Sequence, residues 1–205
     1  MDGEGVDAVD VELAVVNTDE RALFWAYVGE EPDPRYRLLT PQLWVSRSRL
    51  FRELPRDLDP AALARLAARR ADYPRWPTLE KCVGEAVFEQ ARRILLPPAP
   101  SRLSCLFAAL DAESAASFAI EWMPPDFDHH GRGDVATLRV RTGGAPWVAL
   151  DMHLFYVPRE IGESAEANEH ALRRTWKRAA RYWRGETSSE PFVEVLATSL
   201  ERRAH

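Results

Sequence analysis

Capping residues and prolines mark where the helices of this chain begin and end. Asp59 followed by Pro60 opens the segment DPAALARLAARRAD, because aspartate is favoured at the N-cap and proline at the first helical position. A second helix is predicted over about 78–96, and the proline pair that follows stops it. Its apolar stripe, with members one turn apart, consists of Val83, Val87, Ala91 and Leu95.

The chain then predicts a strand, a further helix and, near its end, a long helix. SRLSCLFAAL has strand character over 103–110, and Asp111 caps the helix that follows and ends at Pro124-Pro125. The apolar residues of that helix are Ala115, Phe118 and Trp122. The long helix is predicted over 163–184.

Short apolar runs predict the remaining strands. Two lie at 11–16 and 23–28, and a last one at 192–197. VATLRVRT and WVALDMHLF flank Gly143-Gly144 and predict a β-hairpin, whereas GEEPDPRYRLLTPQLW is typical of a long irregular connection. Strands and helices do not alternate regularly, which favours an α+β fold over a doubly wound sheet. We expect one domain over 1–205, with 1–10 as a flexible acidic leader.

Charge and cysteine content narrow the function classes. A net charge of -5 argues against a protein that coats nucleic acid through its overall field. Cys82 and Cys105 have no CxxC spacing, so neither a disulfide framework nor a cysteine-based zinc site is indicated. The acidic start of the sequence leads us to expect no signal peptide, and no apolar run approaches the roughly 20 residues that a membrane span needs. We therefore expect a soluble protein of a reducing cytoplasm.

The long terminal helix separates apolar from basic residues. The predicted apolar arc consists of Leu172, Trp176, Ala179 and Trp183, and the cations opposite are Arg173, Arg174, Lys177, Arg178, Arg181 and Arg184. The cations form either a solvated face near the helix C-terminus, where the macrodipole favours them, or a docking surface for phosphates or an acidic partner. The docking interpretation depends on Arg174, Arg178 and Arg181.

The loop PPDFDHHGRGD offers oxygen and imidazole groups for a metal. The candidate ligands are Asp126, Asp128, His129, His130 and Asp134, with Asp151 and His153 further along. Their spacing matches no zinc motif, and loops are rich in aspartate and glycine for conformational reasons. The chain contains no GxSxG elbow, no GxGxxG and no P-loop. A metal-dependent hydrolase therefore remains an alternative without a motif.

Glu194 is the residue that most needs an explanation. It lies within the apolar run FVEVL of the last predicted strand, where a carboxylate costs stability unless it faces water or a partner. Either Glu194 faces solvent on an edge strand, where a charge discourages edge-to-edge pairing, or it has a function.

Three stretches of the chain resemble the ADP-ribosyltransferase-like superfamily. PSRLSCLFAALDAESAASFA is similar to the middle strand of that superfamily, with Phe107 as its aromatic residue, and to the helix that follows. The segment ending VALDM and the terminal YWRGE and FVEVL are similar to small bacterial families associated with it. The resemblance covers roughly 23–197. It implies split antiparallel sheets with flanking helices, and NAD bound in a cleft between the two sheets.

The resemblance also implies roles for individual residues. Glu194 would be the catalytic carboxylate beneath the ribose of NAD, and Phe107 would pack against the nicotinamide ring. Ser101, Arg102 or Ser104 would contact the ribose or the phosphates. Ala26 stands where the superfamily's early strand often ends in a histidine, and Tyr27 beside it is a substitute contact.

The function implied is NAD-dependent mono-ADP-ribosyl transfer to an unidentified acceptor. Because Ala26 departs from the superfamily's pattern, the alternative is a catalytically inactive domain of the same fold that binds a nucleotide or a protein.

Overall fold

The computed structural model describes residues 10–17, 36–38, 45–73, 77–111, 113–115, 117, 135–142 and 146–202. Its bounded helices are α1 (Arg49–Glu53), α2 (Pro60–Ala68), α3 (Leu79–Leu95) and α4 (Ala165–Trp183), and 3-10 turns lie at Arg70–Asp72 and Met152–Leu154. Residues 45–47, 113–115 and 117 are also helical. Its strands are β1 (Asp10–Asn17), β2 (Tyr36–Leu38), β3 (Leu106–Ala109), β4 (Val135–Thr142), β5 (Trp147–Asp151), β6 (Val193–Ala197) and β7 (Leu200–Arg202). The mixture of helices and antiparallel strands confirms the predicted α+β class.

Side-chain caps satisfy the N-termini of α2 and α3, and the cap at Asp59 was predicted from the sequence. Asp59 Oδ1 accepts a hydrogen bond of 2.9 Å from the backbone N–H of Ala61, with Pro60 at the first helical position. Thr78 Oγ1 does the same for Lys81 at 3.2 Å. Each cap satisfies a backbone donor that has no partner inside the helix, and the predicted helices over 78–96 and 163–184 are confirmed as α3 and α4.

The strands form two small antiparallel sheets that meet at one point. β6 lies between β5 and β3, and β1 pairs with β4 along seven residue pairs, with β7 beyond β4 and β2 beside β1. A single bridge, Glu12 to Ala109, connects β1 to β3. Ala109 also pairs with Glu194, so the bridge between the sheets continues the row of residues that contains Glu194.

These strands cannot lie in one flat sheet. β6 ends at Ala197 and β7 begins at Leu200, so three residue steps join them and reach at most about 11 Å. In a flat sheet, β7 would lie four strand spacings from β6, which is roughly 19 Å. The sheet therefore curves back on itself.

The structure corrects three of the predicted strand assignments. β4 and β5 do not form a hairpin, because β4 pairs with β1 and β7 while β5 pairs with β6. The stretch predicted to be irregular contains β2. β7, which pairs with β4, was not predicted at all. The predicted strand at 23–28 and the loop at 124–134 lie outside the described residues.

Helices α3 and α4 pack on each other and cover one face of strands β5, β6 and β3. The core cluster on this face includes Phe107, Leu150 and Leu196 from the strands, and Val83, Phe88 and Tyr182 from the helices. The indole N–H of Trp183 donates to the backbone carbonyl of Phe88 at 2.7 Å. A Cβ at Gly84 would lie 3.2 Å from the carbonyl oxygen of Tyr156, so glycine lets the segment after β5 approach α3 closely.

The buried face of α4 is rotated from the predicted apolar arc. Ala179 and Trp183 are buried as predicted, but Trp176 is 36% exposed and Asn168 and Thr175 are buried instead. These two polar side chains satisfy their own hydrogen bonds: Asn168 with the backbone of Pro60 and Gly162, and Thr175 with the carbonyl of Ala171. Satisfied in this way, they are tolerated in the core. None of the described helices combines the length and apolar composition that a membrane crossing requires.

Candidate functional site

Glu194 lies in the interior of a sheet and not on an edge. Its strand β6 has β5 on one side and β3 on the other, and the side chain is 0% exposed. The solvent-facing interpretation of Glu194 is therefore wrong. Phe107 pairs with Leu196 across β3 and β6, so these two side chains lie on the same face of the sheet. Glu194 is two residues from Leu196 on β6 and therefore shares that face, which α3 and α4 cover.

Arg102 is the ion-pair partner of Glu194. It lies in the turn before β3, and its Nη1 contacts Glu194 Oε1 and donates to the Tyr182 hydroxyl at 2.7 Å. The Tyr182 hydroxyl in turn donates to Glu194 Oε1 at 2.7 Å. On the other side of the guanidinium, Nε donates to Glu85 Oε2 at 3.2 Å. Arg102 therefore joins α3, α4 and the sheet.

A second cation completes this group. Lys81 lies one turn before Glu85 on α3, and the two side chains form an ion pair of 3.1 Å. We refer to Lys81, Glu85, Arg102, Tyr182 and Glu194 as the Arg102 cluster; all five are buried. The cluster holds two cations and two carboxylates, so its formal charge is balanced, as burial of ionised groups requires.

Aromatic rings enclose the guanidinium. Its carbon Cζ lies 4.3 Å from the ring centroid of Phe155, 5.1 Å from that of Phe107 and 5.4 Å from that of Tyr182. The ring of Phe155 also lies 4.4 Å from Lys81 Nζ. Both cations therefore face aromatic π-systems, which attract them most strongly where water is excluded.

The two carboxylates of the cluster differ in acidity. Burial raises the pKa of Glu194, because desolvation outweighs the attraction of Arg102 and the hydrogen bond from Tyr182. Burial acts on Glu85 in the same direction, but Arg102 and Lys81 together reverse it and lower the pKa of Glu85. The pKa of Lys81 is lowered to about 8 by burial, against the attraction of Glu85. Glu194 is thus the less compensated carboxylate.

Lys81 Nζ and Glu85 Oε1 have each other as partners in the ion pair of 3.1 Å. Two further charged atoms of the cluster, Arg102 Nη2 and Glu194 Oε2, have no hydrogen-bond partner among the residues that the structure describes. A buried donor or acceptor without a partner costs about 1–3 kcal/mol, and more when it is charged. A network that served packing alone would be expected to satisfy both atoms, so the unpartnered pair marks this place as the candidate site.

The other residues predicted from the sequence lie apart from this pair. Ser101 is half-buried and its hydroxyl donates to Glu89 Oε2 at 2.8 Å, whereas Ser104 is exposed. Tyr27 and Ala26 lie outside the described residues.

Sequence reasoning missed Lys81, Glu85 and Tyr182. Lys81 and Glu85 lie four residues apart on the predicted helix, a spacing that allows an ion pair, but only the structure shows that both side chains are buried. Charged residues on the buried side of a helix require each other or a partner elsewhere. Tyr182 has no comparable signal, because the sequence does not indicate what its hydroxyl would contact.

Two of the candidate metal ligands, Asp151 and His153, lie in the described part of the chain, and both form hydrogen bonds with backbone groups. Asp151 Oδ1 accepts hydrogen bonds of 3.0 Å from the backbone N–H groups of His153 and Phe192, and Oδ2 accepts one of 2.6 Å from Ser188. His153 Nδ1 lies 2.6 Å from the carbonyl oxygen of Glu190. In the described part of the chain, no group of three or more histidine, cysteine and acidic side chains is arranged to hold a metal ion.

No protein-family model matches the chain, and no curated protein resembles it at a significant level. The similarity to the ADP-ribosyltransferase-like superfamily therefore stays a prediction from the sequence.

Proposed function

We propose that the protein cleaves NAD and transfers its ADP-ribose group to an acceptor, with Glu194 as the catalytic carboxylate. The observation that supports this proposal is the unpartnered pair of atoms, Arg102 Nη2 and Glu194 Oε2, in one buried cluster. The guanidinium nitrogen offers a donor to a phosphate oxygen, and the carboxylate oxygen offers an acceptor to a ribose hydroxyl. NAD carries both groups, and it also carries flat rings that pack against aromatic side chains such as Phe107 and Phe155.

The reaction breaks the bond between the ribose carbon C1′ and the nicotinamide nitrogen. The bonding electron pair goes to that nitrogen, nicotinamide leaves as a neutral molecule, and the ribose takes on oxocarbenium character. A negative carboxylate beneath the ribose stabilises the developing positive charge. An oxygen or nitrogen of the acceptor then forms the new bond to C1′ and releases its proton.

Glu194 performs this role only when it is ionised. Burial raises its pKa, and Arg102 works against that shift by pairing with the negative form. Arg102 therefore keeps the carboxylate charged and also offers a free nitrogen to the substrate. Because Glu194 is 0% exposed, binding of NAD requires the rings of Phe155 and Tyr182 to separate from the strands that they cover.

A second candidate function is a non-catalytic domain of the same fold that binds a nucleotide or a protein. The observation that favours it is the compensation of Glu194 by Arg102 and Tyr182 in a fully buried cluster. A carboxylate compensated in this way stabilises the packing of the helices on the sheet without a substrate. The two candidates make the same use of Arg102 and differ in whether NAD is consumed.

Release of nicotinamide from NAD, measured by chromatography with and without a metal chelator, separates the candidates. Turnover that is unaffected by chelator supports ADP-ribosyl transfer. Saturable binding of NAD without turnover supports the non-catalytic domain. Turnover that is lost with chelator, for NAD or another substrate, would point instead to a metal-dependent hydrolase.

A further inference from the structure

We propose that one flank of α4 carries a binding pocket for a small phosphorylated molecule, separate from the Arg102 cluster. The pocket has a volume of about 280 Å³ and is lined by Tyr156, Arg174, Lys177, Arg178 and Arg181. Four of these five side chains are cations, in a chain whose net charge is -5. The proposal does not depend on NAD cleavage.

The spacing of the cations explains why they converge. They lie at positions i, i+3, i+4 and i+7 of α4, which places them in one stripe along roughly 10 Å of helix. All four are exposed, whereas Tyr182 on the same helix is turned inward to the Arg102 cluster. The pocket and the cluster therefore use different sides of α4.

Two of the cations have no ion-pair partner among the described residues, namely Lys177 and Arg178. The other two are only partly neutralised, since Arg174 pairs with Glu160 at 2.6 Å and Arg181 with Glu186 at 2.7 Å. Ion pairs between exposed side chains are weak, because water screens the charges and the long side chains lose freedom when they pair. A multiply charged anion can therefore compete for all four cations, and the pocket keeps an excess of two positive charges.

Tyr156 is the lining residue of the pocket that does not belong to α4, and its ring contacts one of the cations. The guanidinium carbon of Arg174 lies 5.5 Å from the centroid of the Tyr156 ring, an arrangement that favours a planar guanidinium over an ammonium. The Tyr156 hydroxyl donates to Glu160 at 3.0 Å, which holds the ring in place. Arg174 is thus positioned before a ligand arrives.

The size of the pocket and its charge favour a small phosphorylated ligand over a nucleic acid. A volume of about 280 Å³ is near the lower end of small-molecule sites, roughly 300 Å³. A phosphate presents several oxygens in different directions and so takes hydrogen bonds from several cations at once. The positive charge of the four cations also exceeds the partial negative charge at the C-terminus of α4, which amounts to about half a charge.

Isothermal titration calorimetry of the full chain with pyrophosphate, carried out at low and at high salt, tests the proposal. We expect saturable binding to the wild type, a loss of at least tenfold in affinity for Arg178→Glu, and weaker binding as salt rises. The matched control is Arg173→Glu, which makes the same charge change on the same helix. Arg173 is exposed, pairs with Glu169 and does not line the pocket. The control should bind within about twofold of the wild type.

Three results would overturn the proposal. One is the absence of saturable binding to the wild type at low salt. Another is an equal loss for Arg178→Glu and Arg173→Glu, because that would reflect the overall field of the helix. The third is binding only to single-stranded RNA, with affinity that rises with oligonucleotide length. Circular dichroism of each variant checks that it is folded, and nicotinamide release measured in parallel keeps this test independent of NAD cleavage.

Discussion

Replacing Arg102 by methionine should destabilise the protein severely, because the two carboxylates that it bridges belong to different parts of the fold. Methionine preserves much of the length and the packing of the side chain but removes the charge. Glu85 would keep Lys81 as its partner at 3.1 Å. Glu194 would keep the hydroxyl of Tyr182 at 2.7 Å but would lose its cation while 0% exposed.

The expected loss in the free energy of unfolding is about 3–5 kcal/mol, the typical cost of removing one partner from a buried ion pair. This loss is a large share of the free energy of unfolding of native proteins, which is typically about 5–15 kcal/mol. The loss should be smaller in acid. Without Arg102, the pKa of Glu194 rises further in the folded state, so folding takes up a proton, and the stability of the variant relative to the wild type falls as pH increases.

Urea unfolding of four proteins measures this effect: the wild type, Arg102→Met, Glu194→Gln and the double variant. Because the glutamine carries no charge, the double variant should be more stable than the sum of the single losses predicts, by at least about 1 kcal/mol. A loss below about 1 kcal/mol for Arg102→Met, or strictly additive losses, would refute the assignment of Arg102 as the cation that compensates Glu194.

Two pH-dependent predictions follow from other buried charges. Burial lowers the pKa of Lys81 in the folded protein to about 8. Between about pH 8 and the ordinary pKa of a lysine, the unfolded chain therefore binds more protons than the folded one. The wild type should therefore gain stability relative to Lys81→Met as pH rises through that window, by about 1–3 kcal/mol, and a difference independent of pH in urea unfolding would contradict this. Burial would raise the pKa of Asp151, but hydrogen bonds from Ser188 and neighbouring backbone N–H groups lower it. Asp151→Asn should therefore cost about 1–3 kcal/mol at pH 7, and thermal unfolding should show this cost shrinking as pH falls through the lowered pKa; a cost that persists in acid would exclude the carboxylate charge as its cause.

The helices were predictable because their signals are local. Asp59, Thr78 and the proline pair after 96 specify the ends of α2 and α3 within a few residues of sequence, and the structure confirms those ends. The strand pairings were not predictable in the same way. A Gly-Gly pair between two strands favours a hairpin locally, but β4 instead forms seven residue pairs with β1, more than one hundred positions earlier. Long-range pairing of this length outweighs a turn signal.

The candidate site could be predicted only in part, for the same reason. Glu194 was conspicuous because its charge interrupts an apolar strand, and Arg102 and Phe107 were predicted from the resemblance. That Arg102 compensates Glu194 depends on a contact across 92 positions, which no spacing in the sequence reveals. Tyr182 belongs to the cluster because α4 directs its side chain inward. The rotation of α4 depends in turn on buried polar residues such as Asn168, whose hydrogen bonds are satisfied inside the protein.

The most direct test of Glu194 as the catalytic carboxylate is the comparison of Glu194→Gln with the wild type in two assays, nicotinamide release and NAD binding. Glutamine keeps the shape of the side chain and one acceptor but removes the negative charge. We predict a fall in turnover of about 100-fold to 1000-fold, the typical loss for one well-placed electrostatic group, with NAD affinity within a few fold of the wild type. Turnover at the wild-type rate in the glutamine variant, or a wild type that neither binds nor cleaves NAD, would contradict the proposal.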